Sequence, residues 1–80
     1  MPTVLRVGPY RFFFYSLEND EPPHIHVAAA ENVAKFWLGP VRLASNHGFR
    51  SHQLTTIRKI IEENEQLFME AWHEYFGNSV

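Results

Sequence analysis

Apolar residues along the chain fall into two kinds of spacing. Before residue 50 they come in short runs, Val4 to Val7, Tyr10 to Tyr15, His24 to Ala28 and Val33 to Leu38, rich in β-branched and aromatic side chains and bounded by Gly, Pro or Asn. That is the mark of strands. Gly8-Pro9 separates the first two runs as a hairpin turn, and Glu31-Asn32 separates the third from the fourth. Glu18 to Pro23 reads as a loop, because two prolines supply no amide hydrogens and hold the chain extended. Gly39-Pro40 ends the fourth run, and Val41 to Leu43 is either a short fifth strand or the start of a helical turn. Asn46-His47-Gly48 predicts a turn whose Asn or Gly accepts a left-handed backbone.

From about Ser51 the period changes. Leu54, Ile57, Ile61, Asn64, Phe68, Ala71 or Trp72, and Tyr75 recur at intervals of three and four, which predicts an amphipathic helix stopped by Gly77-Asn78. Asn64 falls on the apolar stripe and can instead cap a second helix, so one kinked helix and two shorter ones are both consistent with the pattern. Strands followed by helix predict an α+β domain: a small antiparallel sheet of four or five strands with the helical segment on one face. At 80 residues the chain has room for one domain, residues 1–80.

Alternation along the strands sorts their side chains onto two faces. Leu5, Val7, Tyr10, Phe12, Phe14, Ile25, Val27, Ala34, Phe36 and Leu38 form the set a covering helix would bury. The other set holds Arg6, Arg11, Phe13, Tyr15, His24, His26, Lys35 and Trp37. One helical layer covers one face, so this second set predicts an exposed aromatic and basic patch, and such patches mark interaction sites. Composition sharpens the point. Aromatic residues make up 15% of a chain with no cysteine, so neither disulfides nor thiolate zinc can hold so small a domain together. Aromatic packing or association with a second chain has that role. A homo-oligomer or protein-partner face is the first reading of the patch. RNA or single-stranded DNA, with bases stacked on aromatics and phosphates on cations, is the second.

The net charge of −2 conceals a division. Residues 1–59 hold all seven Lys and Arg against four acids, whereas residues 60–80 hold five Glu and no base. An anionic ligand would therefore meet the first part of the chain. No stretch approaches the ~20 apolar residues of a membrane helix, and the opening residues carry no apolar run like that of a signal peptide, so a cytoplasmic protein without membrane contact is expected.

His24-Ile25-His26 is the most chemically loaded triplet. Imidazoles at i and i+2 of a strand project to one side, where they could work as acid and base or share a metal. In a metal-independent RNA-cleaving site, one would take a proton from a ribose hydroxyl and the other would protonate the leaving oxygen. Arg6, Arg11 or Lys35 would then offset the phosphate charge. Asp20 would join the two histidines in any divalent-metal site, although no third histidine follows at Ala28, and no cofactor is expected. In the plainer reading, the imidazoles hydrogen-bond to loop backbone and hold the Pro22-Pro23 segment. No Gly-rich phosphate loop or nucleophile elbow occurs.

Glu21-Pro22-Pro23-His24-Ile25-His26-Val27, then Ala34-Lys35-Phe36-Trp37-Leu38 with Pro40-Val41, then Asn46 and Gly48-Phe49, followed by Leu54, Ile57, Ile61, Glu63-Asn64, Leu67, Trp72, Glu74 and Phe76-Gly77, resemble a family of small bacterial proteins. It is the uncharacterised domain-of-unknown-function family forty-one sixty. The family has no established activity. Its members are often encoded beside another small protein, so the resemblance implies a partner-bound, toxin–antitoxin-like component whose signature falls on Pro22, Pro23, His24 and His26. One departure is local: family members tend to open the helix with Ser and, three residues on, Glu, where this chain has Arg50 and Gln53. A weakened capping box is expected there.

Overall fold

The computed structural model describes residues 3–15 and 21–77. Five antiparallel strands, β1 (Thr3–Val7), β2 (Tyr10–Phe13), β3 (His24–Ala29), β4 (Asn32–Trp37) and β5 (Arg42–His47), each pair with the one before, giving the sheet order β1-β2-β3-β4-β5. Helices α1 (Ser51–Glu63) and α2 (Glu65–Phe76) follow. The chain is α+β, with five strands and two helices.

Three local details explain where the elements begin and end. The fifth strand runs on through residues expected to form a turn, because Asn46 and His47 still pair with Ala34 and Val33. The chain reverses after them, where the Asn46 side-chain amide donates to the Phe49 carbonyl at 3.0 Å and accepts from the Phe49 N–H at 3.1 Å. Asn46→Ala removes both bonds. It is expected to cost about 1–2 kcal/mol, read from the urea midpoint; a loss below a few tenths would mean that Gly48 alone shapes the turn.

At the start of α1, the Arg50 N–H donates to Gln53 Oε1 at 2.9 Å, so half of the capping box survives with Gln in place of Glu. Arg50 has no acceptor to supply the other half. Between the helices, Asn64 (φ −120°, ψ 20°) breaks the helical path. Its side chain does not cap α2 but donates backward to the Ile60 carbonyl at 2.8 Å, closing the last turn of α1.

The core lies between the sheet and the helices. Phe12, Phe14, Ile25, Val27, Ala34, Phe36 and Leu38 of the sheet side meet Ile57, Ile61, Phe68 and Trp72 of the helices. Phe12 and Phe68 are fully buried with ring centroids 5.4 Å apart, and each such burial stabilises by roughly 1.5–3 kcal/mol. One residue of the expected inner set is corrected. Val7 is 36% exposed, since β1 is an edge strand and Val7 sits at its hairpin end. A bulge between Thr3 and Leu5 turns both Val4 and Leu5 toward the core instead.

Candidate functional site

The Glu21-Pro22-Pro23-His24 segment is tied to the sheet through its carbonyls, which is the resource left to a dipeptide without N–H groups. The Pro23 carbonyl accepts the Leu38 N–H at 3.0 Å, extending the β3–β4 pairing by one residue. The Pro22 carbonyl lies 2.9 Å from His24 Nδ1. A carbonyl only accepts, so Nδ1 carries the proton and the ring of His24 is a clamp on the loop that precedes it. Glu21 completes the arrangement from the other side, its Oε1 2.7 Å from Lys35 Nζ and 3.7 Å from His24 Nδ1.

Alternation placed His24 on the face away from the helices, and its register opposite Trp37 agrees, but the ring is covered rather than open. Its ring is fully buried and lies 4.8 Å from the Trp72 ring of α2 and 5.7 Å from Trp37. The last rung of β2 with β3 is Phe13 with His26, short of His24, and the Trp72 ring packs against His24 from α2. His26, 6% exposed, stays on the outer face, stacked on Phe13 at 5.5 Å with the edge of Tyr15 at 4.5 Å. The two imidazoles stand nearly perpendicular with centroids 5.2 Å apart. Among the described residues, no three His, Asp or Glu side chains gather where a metal ion could sit; Asp20 lies outside the described residues.

The expected exposed aromatic patch is also corrected. Phe13 is 2% exposed, because its own neighbours close over it: the Arg11 guanidinium lies 4.3 Å above its ring, His26 stacks alongside, and Tyr15 meets it edge-on at 5.2 Å. Lys35 Nζ lies 4.6 Å over the Trp37 ring in the same manner. Tyr15 remains 40% exposed. The surface on offer is therefore cationic, with aromatic rings as mounts for the cations rather than as open platforms.

Register adds Arg42, which sequence reasoning missed. It stands opposite Trp37 across the β4–β5 turn and so shares its side of the sheet. Its role was hidden because the fifth strand was undecided; reading Gly39-Pro40 as a tight reversal would have placed it. Trp72 lay on the predicted apolar stripe of the helix, but nothing local marked it as the cover of a β3 residue.

No curated protein and no solved structure matches the chain. The model of the family described as domain of unknown function (DUF4160) matches residues 10–73, from the start of β2 into the last turns of α2. The Pro-Pro-His clamp, the capped aromatic face and both helices all fall within or across that span, and the chain belongs to the DUF4160 family.

Proposed function

We propose that this chain works by protein association, with the sheet face away from the helices as its contact surface. The observation that carries the reading is the mounting of that face: Arg11 held over Phe13 and Lys35 over Trp37, with Tyr15 exposed beside them. Aromatic and Arg side chains held in fixed positions lose little freedom on binding, which is what interface anchors need. The partner is a second copy or a small protein encoded nearby. The gene arrangement that comes with the family resemblance makes the neighbouring product the first to test, with a toxin–antitoxin pair as the setting. His24 and the Pro22-Pro23 loop then serve the face from behind, by fixing the start of β3.

Co-expression with the neighbouring gene, followed by sedimentation and size measurement, tests this. The expected result is a stable dimer or complex that Tyr15→Asp and Trp37→Asp each weaken by at least tenfold, with circular dichroism unchanged. A chain that stays monomeric at high concentration and forms no complex, or a complex indifferent to both substitutions, would overturn it.

A further inference from the structure

We propose that Arg6 and Arg11 form a carboxylate clamp for an acidic segment of the partner protein, an inference that rests on association through this face. The two residues are direct cross-strand partners on the side of the sheet away from the helices. That places their Cβ atoms about 5 Å apart, where like charges oppose each other. Such a pair is a cost to the folded chain that a bound anion relieves.

Arg11 is also prepared for the task. Its guanidinium rests on Phe13 and donates from Nη1 to Thr3 Oγ1 at 3.2 Å, which fixes the plane and leaves the other nitrogens for a ligand. Neither arginine has an acidic partner among the described residues, in contrast to Lys35, whose charge is met by Glu21. The five strands contain no Asp or Glu, and the Glu21 carboxylate that reaches this face is held by Lys35.

Two observations favour carboxylates over nucleic-acid phosphates. Base recognition on a sheet needs open ring faces, and here the Phe13 and Trp37 rings already carry the chain's own cations. Glu62, Glu63, Glu65, Glu70 and Glu74 of the helical layer are what bring the chain to a net charge of −2, a field that repels a long polyanion more than a short acidic segment. Guanidinium forks match carboxylate geometry through paired N–H donors, so a Glu or Asp side chain between Arg6 and Arg11 receives donors from both.

Amide chemical-shift titration of the intact chain with a short Glu-rich peptide, its Gln counterpart and single-stranded oligo-dT tests the clamp. The Glu peptide is expected to shift the β1–β2 hairpin around residues 6 and 11, and the Gln peptide to leave it unmoved. Arg6→Gln and Arg11→Gln should each weaken binding roughly tenfold, while Arg6→Lys and Arg11→Lys, which keep the charge but lose the fork, recover part of it. Shifts centred elsewhere, binding unchanged in the double Gln variant, or oligo-dT binding the hairpin more tightly than the Glu peptide would overturn the clamp. A protein complex that forms but ignores both Gln variants would remove the clamp and leave association standing. Hairpin shifts in a chain that forms no complex would do the reverse.

Discussion

Replacing Trp72 by alanine should lower the unfolding free energy by about 3–5 kcal/mol. For 80 residues the whole stability is on the order of 4–12 kcal/mol, so this change brings the chain close to unfolding. The size of the effect follows from what the indole touches. It lies 5.5 Å from the Phe14 ring, 4.8 Å from His24 and 4.1 Å from Phe76, joining the last turns of α2 to β3 and to the residue that follows β2.

Its loss also uncovers the His24 ring and with it the clamp on Pro22. Amide exchange should therefore quicken at Leu38, whose N–H rests on the Pro23 carbonyl, before the middle of β4 responds. Trp72→Phe keeps a ring in the same place and is expected to recover more than half of the loss. A cost below about 1 kcal/mol for the alanine variant, or exchange at Leu38 no faster than at Phe36, would show that the end of α2 does not seal the start of β3.

Gly48→Ala is the second large effect, expected above about 2 kcal/mol in urea unfolding. Two separate causes add. Gly48 has φ +106°, outside the range in which side chains are comfortable, and its Cβ would collide with the side-chain amide of Asn32, reaching within 2.9 Å of Cγ. Asn32 opens β4 beside the end of β5, which brings its side-chain amide against Gly48.

Pairing the substitution with Asn32→Ala separates the causes. The double variant loses the collision but keeps the backbone strain, so it should recover part of the deficit and leave about 1 kcal/mol behind. Full recovery would assign the whole cost to the collision, and no recovery would assign it to φ.

Strand and helix positions were legible because the period of the apolar residues changes sharply near Ser51 and because Gly-Pro and Pro-Pro pairs punctuate what comes before. The inner face was legible for the same reason: Phe12, Phe14, Ile25, Val27, Ala34, Phe36 and Leu38 alternate as a half-buried sheet demands, and all are buried. What failed did so where alternation stops being a local property. Val7 reads as core from its parity, yet exposure at a sheet edge depends on how far the helices reach. His24 reads as an outer residue, yet its surroundings were set by where β2 ends relative to β3, a matter of register between the two strands.

The candidate site shows a further limit. Phe13, Arg11, Trp37 and Lys35 were read from alternation as neighbours on the second face and not as stacked pairs. Whether a cation lies beside a ring or over it depends on rotamers, and that alone converts an aromatic surface into a charged one.

The unbroken order of the strands has a kinetic meaning. Every strand closes on its immediate predecessor, so each pairing needs only the short excursion of one hairpin, with the Pro-Pro loop as the longest of them. The entropy of loop closure is met in small steps, and the sheet can grow by zipping from any hairpin outward. The longest lengths of chain are bridged where α2 returns to the first part of the sheet, among others at Phe12 with Phe68 and Phe14 with Trp72. Docking of the last helix is thus the step that closes the longest length of chain, and Phe68 and Trp72 are among the residues that close it.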